Sequence, residues 1–339
     1  MMVFPLLLIF LWMRGGKLIF EAKTMALGLV GGLLPLSLYA YLPLRWAQGP
    51  AFNYVGQYFD VALDTPTGLL WMISGRMFSH RMFDLPLSLM LQNFGLQVQL
   101  ITFSLLGLGL VLIVLSVLNT SHRLLLLFVG GALSMLIFFS GYNVIDASTM
   151  LLPSFVWLMP LYAKGLQAVS DLMQETLGPG DRPQAAIHAC AAGLIAVLLV
   201  VNWPLVDRSR DINTYAYAHT VTSQVEANAL IIAQWETAAP LNYLLIVEGR
   251  RPDITILDRG GHALGIYDQH RRLYGVDSDA ELAEIARNRL LSLIEAEVKL
   301  RPVFITDNDW LLDHLVYERQ EHVYRVVDVN RDRISEAER

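Results

Sequence analysis

The chain has 339 residues, of which 54% are hydrophobic and 17% charged, with a mean hydropathy of +0.44, a balance that places much of it in lipid. Its formal net charge of -6 offers no basic surface, which excludes nucleic acid as a partner. The lone Cys190 has no intramolecular disulfide partner and lies in an apolar run, where it reads as a small packing residue.

Charge placement divides the chain. Between Lys23 and Val206 charged residues fall in loops, whereas from Asp207 to Arg339 they are dense. This predicts a polytopic α-helical membrane domain over 1–206, followed by a small soluble α/β domain with a parallel sheet over 207–339. Six spans are expected in the first part: Met2–Met13, Met25–Leu44, Val98–Leu118, Leu124–Ser140, Thr149–Ala163 and Ala185–Val201. Arg14, Lys17 and Lys23 mark a cytoplasmic turn, and Gly141–Ser148 lacks Lys and Arg and reads as external. An odd number of later crossings then carries everything beyond Asp207 to the non-cytoplasmic side, making this an integral membrane protein with an exported C-terminal domain. The loop 46–97 between the second and third spans is too long for a plain connection. Its apolar pieces, Pro66–Ser74 and Met82–Met90, are too short to span and suit helices lying in the membrane interface.

In the soluble part, strands are expected at Ala229–Ala233, Asp253–Leu257, Pro302–Thr306 and Tyr324–Val329. Helices are expected at Tyr217–Asn228, after Ala233 to Val247, at Asp279–Lys299 and from Trp310. Alternating strands and helices imply a parallel sheet with helices on its faces.

Three residue clusters are candidates for chemistry. Arg45, Asn53, Tyr54 and Tyr58 follow the end of an uncharged span, where a cation, an amide and phenols suit a phosphate and a sugar; the other reading is an anchor to lipid headgroups. Asp146, in Tyr142-Asn-Val-Ile-Asp146 between two spans, is either a polar-acceptor or metal-binding carboxylate or an ordinary acid in a wet turn. Trp235, Glu236, Asp307 and Asp309 each follow an expected strand, and the carboxyl ends of parallel strands are where ligands collect; acids there also serve as helix caps. No HExxH or paired-cysteine spacing points to a metal, and neither GxGxxG, a Walker loop nor G-x-S-x-G is present.

Tyr39-Ala-Tyr-Leu-Pro-Leu-Arg45 with Gly49-Pro-Ala-Phe-Asn53 resembles the centre of a large multi-span family related to GT-C glycosyltransferases, which includes an animal protein O-mannosyltransferase. The resemblance continues at Tyr142–Asp146 with Leu152-Pro153, at Tyr243 to Arg251-Pro-Asp253, and at Arg301-Pro-Val-Phe304. It implies a membrane enzyme that moves a sugar from a polyprenyl-phosphate carrier to an acceptor on the outer face. Arg45, Asn53, Tyr54 and Tyr58 would then hold the donor, and Trp235, Glu236, Asp307 and Asp309 would form an acceptor rim. The family's acidic external loop, Asp-Ser-Gly-Glu-like and then His-Pro-Pro-Gly-Tyr-Pro-like, does not occur in this sequence. The chain is therefore read as the carboxyl-terminal part of such an enzyme, with an upstream-encoded catalytic half as a partner beside membrane lipid, or with Asp146 as base. A divalent metal cofactor stays open. The alternative is a non-enzymatic, membrane-anchored module that binds a glycan or a protein.

Overall fold

The computed structural model describes residues 9–11, 13, 15–16, 21–143, 151–178, 181–276, 278–306 and 310–330. In chain order its helices begin with α1 (Ala22–Leu36), α2 (Tyr41–Ala47), α3 (Tyr54–Phe59), α4 (Pro66–Ile73), α5 (Leu87–Thr102) and α6 (Leu108–Ser116). Then come α7 (His122–Ser140), α8 (Leu152–Leu177), α9 (Asp181–Val206) and α10 (Asn213–Gln224), after which strands enter. These are β1 (Leu230–Ala233), α11 (Trp235–Asn242), β2 (Thr255–Asp258), α12 (Arg259–Tyr274), α13 (Asp279–Val298), β3 (Val303–Ile305), β4 (Leu315–Arg319) and β5 (Tyr324–Val329).

The chain forms two compact units. One comprises Met1–Leu38 with Phe78–Arg208, the other Tyr39–Met77 with Ser209–Arg339. Among the described residues, three helices are long and apolar enough to cross a membrane: Ala22–Ala47, His122–Ser140 and Ala185–Pro204. Little of the first and third is covered by protein, and large uncovered apolar surfaces of this kind point to membrane association. The expected span Met2–Met13 lies largely outside the described residues. Leu152–Leu177 extends past the expected Thr149–Ala163 and carries Lys164, Asp171 and Glu175.

In the first unit, Val98–Leu118 is not one span. The helix ends at Thr102, a 3-10 turn covers Ser104–Gly107, and α6 starts afresh. Gly107 sits at φ +85°, which side-chain-bearing residues rarely adopt, and a β-carbon at Gly109 would fall 2.3 Å from the Ser104 hydroxyl. The unit's core gathers Leu112, Leu136, Leu158 and Leu161, and close helix approach depends on small residues. At Gly165 a β-carbon would lie 2.2 Å from the Leu112 carbonyl oxygen.

The second unit is built on a five-stranded sheet of order β2-β1-β3-β5-β4. It is mixed, which corrects the expectation of a parallel sheet: β2, β1 and β3 run parallel, while β5 pairs antiparallel with both β3 and β4. The physical reason is the short link between β4 and β5, since strands joined by so few residues can pair only antiparallel. The region after Trp310 was expected to be a helix. It is instead a single 3-10 turn over Trp310–His314 that leads into β4.

β1 is buried along its whole length, and its side chains alternate between two cores. Ile231 and Ala233 face a cluster with Val221, Leu241, Leu244 and Phe304, so α10 and α11 cover that side. Leu230 and Ile232 face Leu290, Leu291 and Ile294 of α13. The result is a three-layer arrangement with helices on both faces of the sheet. α13 begins with Ser278-Asp-Ala-Glu281, whose serine hydroxyl accepts from the Glu281 amide at 3.4 Å.

Residues 39–77 belong to this second unit. α4, expected as an interfacial helix, buries Trp71, whose indole donates to Asp268 Oδ1 at 3.2 Å. α3 lies on α12, where Gly261 and Gly265 leave room for it. A β-carbon at Gly265 would fall 1.8 Å from the Tyr58 carbonyl oxygen, and one at Gly261 would lie 2.7 Å from the Tyr54 hydroxyl. Gly265→Ala is therefore expected to force α3 off α12 and destabilise the unit by about 1–3 kcal/mol. Limited proteolysis should show new cleavage between residues 48 and 65; an unchanged digestion pattern would contradict this packing.

Candidate functional site

The site lies where the parallel strands β1, β2 and β3 end. Asp258, the last residue of β2, is buried, as are Arg259, next in the chain, and Thr306, which follows β3 on the far side of β1. One Asp258 oxygen accepts from the Gly260 amide at 2.9 Å and so caps α12. The other accepts from the Tyr54 hydroxyl at 3.1 Å. The backbone amide of Asp258 donates to the Tyr58 hydroxyl at 2.8 Å. Two phenols from α3 thus close on the end of one strand. Their rings meet edge to face with centroids 4.9 Å apart.

Burial, followed by the nearby Asp258 carboxylate, holds the Tyr54 phenol well above its usual range. Burial also pushes Tyr58 up to about 12, and the Asp258 charge adds to this.

Beside this clasp is a cleft of about 380 Å³. Four aromatic residues wall it, Phe52 and Tyr54 from the loop side and Trp235 and Tyr243 from the helix side. Ala238, Ala239, Ile246 and Val247 complete the apolar lining, with Asn242 and Asp258 as its polar members. From Trp235 to Ile246 the lining positions recur every three or four residues, which puts them on one helix face. The end of that face is a π-helical turn, Tyr243–Val247, whose wider winding brings Val247 alongside Ile246. Trp235 stands edge to face with Tyr54 at 6.4 Å between centroids.

A second feature of the same strand ends lies at β1 and β3, where the strand order changes direction. The Thr237 and Thr306 hydroxyls are 3.2 Å apart there. Arg259 stacks its guanidinium 5.8 Å from the centre of the Trp310 ring.

Arg45 is exposed near the end of α2 and donates to the Gln48 side chain at 3.2 Å; no carboxylate among the described residues pairs with it. Asn53 caps α3 by accepting from the Gly56 amide at 3.0 Å. Tyr54 and Tyr58 form the clasp, and Trp235 lines the cleft. Glu236 is exposed in the first turn of α11, where a carboxylate complements the helix dipole. Asp146, Asp307 and Asp309 lie outside the described residues. Among those described, Tyr142 and Asn143 pair with the segment Arg81–Phe83: the Asn143 amide donates to the Arg81 carbonyl at 3.0 Å. No group of three His, Cys, Asp or Glu suited to a metal ion occurs among the described residues.

Sequence reasoning missed Asp258, Phe52 and Tyr243. Asp258-Arg-Gly-Gly261 at the end of a strand carried a usable signal, an acid at the N-cap position ahead of glycines. Arg251-Pro-Asp253 proves to be a structural knot. Arg251 holds Asp253 through two hydrogen bonds of 3.0 and 2.9 Å and also binds the carbonyls of Thr222, Val225 and Glu226. The guanidinium, with the Asn228 amide, keeps the Asp253 carboxyl down at about 2.

No family model, curated protein or solved structure matches this chain.

The clasp has a pH consequence. Because Tyr58 titrates higher in the folded unit than in the unfolded chain, its stabilising contribution is complete below the ordinary phenol value of about 10 and is lost as pH rises towards 12. Tyr54 acts in the same direction. Spectrophotometric titration should show late-ionising phenols, two of which are lost in the Tyr54→Phe, Tyr58→Phe double variant while those of Tyr162 and Tyr215 stay. All phenols ionising together near 10 in the native protein would contradict the clasp.

Proposed function

We propose that the chain works in glycosyl transfer at a membrane surface, as a GT-C-like glycosyltransferase or the carboxyl-terminal part of one. The donor in this reading is a polyprenyl-phosphate sugar, the acceptor lies on the outer face, and the α/β unit stands on that side. The observation that carries it is the union of the membrane-exit segment and the strand-end rim in one unit, with Tyr54 and Trp235 lining one cleft. Two further observations support it. Helices of membrane length are present, and Arg45 ends one of them as an exposed cation that no described carboxylate engages, as a lipid phosphate requires.

A base is needed to activate the acceptor, and cationic groups to steady the departing phosphate. Arg45 takes the second role, and the sequence reading gives the first to Asp146 or to an upstream-encoded half. The second reading, a membrane-anchored binding module without catalysis, draws support from the internal duties of the Asn53 side-chain oxygen and the Tyr54 and Tyr58 hydroxyls, each of which holds the protein's own backbone or side chains.

The deciding experiment supplies a labelled polyprenyl-phosphate sugar to membranes containing the chain, alone and with any upstream-encoded partner. Transfer is expected, and Arg45→Ala should weaken donor binding by about tenfold or more while the protein remains inserted. Donor binding unchanged by Arg45→Ala would remove Arg45 from the site, and ligand binding without transfer under either condition would favour the binding module.

A further inference from the structure

We propose that the cleft beside Tyr54 takes the hydrocarbon chain of a membrane lipid, and not a sugar ring. The inference shares only the cleft with the proposed function and does not depend on sugar transfer.

Polar capacity is the first argument. A sugar ring presents hydroxyls around its edge, each needing a partner when taken out of water. The cleft supplies few. Both Asp258 oxygens are engaged, one by the Gly260 amide and one by the Tyr54 hydroxyl, and that hydroxyl is spent in the same bond. The Asn242 amide, the Tyr243 hydroxyl and the Trp235 indole N–H are then the side-chain polar groups left in the lining, fewer than the hydroxyls around a sugar ring need. Eight of the ten lining residues are aromatic or aliphatic, and about 380 Å³ is within the range of a small-molecule site.

Location is the second. α2 closes a run long and apolar enough to cross a membrane, Ala22–Ala47, and Phe52 of the cleft follows Ala47 by five residues. Five residues reach at most about 18 Å. The wall of the cleft is thus tethered within that distance of the membrane exit, and the tether carries Trp46, a residue suited to the interface.

The third argument is the state of the opposite wall. Trp235 is 62% exposed and Val247 66%, with Tyr243 and Ile246 also exposed, so the helix face continues outward as an uncovered apolar strip. A strip with Trp and Tyr at intervals suits the headgroup boundary, where a ring has one wet edge and one apolar face. Such a strip offers a hydrocarbon chain a continuous apolar path into the cleft.

The test uses the full chain in liposomes containing either a photoreactive polyprenyl phosphate or a phospholipid with a photoreactive acyl chain, with labelled residues mapped by mass spectrometry. Labelling of Trp235–Val247 by either lipid is expected. Polyprenyl labelling alone identifies the chain as the carrier's, and labelling by both identifies it as that of membrane lipids in general. Ala239→Trp fills the cleft from an exposed position and should lower labelling about tenfold. Val247→Asn, also exposed, should lower it without closing the cleft. Labels confined to Ala22–Ala47, His122–Ser140 and Ala185–Pro204, or protection of Trp235–Val247 by a free monosaccharide, would overturn the proposal. Neither result depends on whether the membranes support sugar transfer.

Discussion

The second unit depends on one buried carboxylate. Asp258 ends β2, caps α12 and receives the Tyr54 hydroxyl, so strand, helix and the segment 39–77 meet at a single side chain. A buried acid costs several kcal/mol unless its lone pairs are filled, and here each oxygen has a donor. Removing one donor would expose that cost. Strand end, helix start and docked loop are therefore coupled, and the position of Tyr54 in the cleft wall follows from the same contact.

This coupling explains why the cleft is placed where it is. α3 can lie close enough to present Tyr54 only because Gly261 and Gly265 leave its backbone a path across α12. The same two glycines lower the helix propensity of α12, so its stability comes from packing, with its own Leu264 set against the core of Phe59 and Trp71. On the other side of the cleft, the π turn at Tyr243–Val247 adds a residue to the winding and turns two more apolar side chains toward the opening. The cleft is thus bounded by a captured loop and an irregular helix, neither of which a regular strand-helix repeat would supply.

The sequence made some of this legible. β1 and β3 read as short apolar runs, a long helix was legible over Asp279–Lys299, and uncharged length alone marked Met25–Leu44, Leu124–Ser140 and Ala185–Val201. Other features depended on tertiary context. α12 contains Gly260, Gly261 and Gly265, poor helix formers that make sense only once Tyr54 and Tyr58 occupy the space they leave. β4 follows a single 3-10 turn, and the pairing that defines it is set by β5. The turn at Ser104–Gly107 is hidden inside an apolar stretch long enough to be read as one crossing. Of the candidate site, Trp235 and Tyr54 were found separately, but nothing in residues separated by so much chain indicated that they face one another.

The union of residues 39–77 with 209–339 also sets an order of events during synthesis. Tyr54 and its partner Asp258 are 204 residues apart. At about 5–20 residues per second, the ribosome needs roughly 10–40 s between making one and making the other. During that interval Val55, Phe59 and Trp71, all buried in the finished unit, have no α12 to cover them. The intervening Phe78–Arg208 is made during the same interval. Until Asp258 and α12 are made these apolar side chains lack their partner, so the docking of α3 comes late and completes the cleft wall.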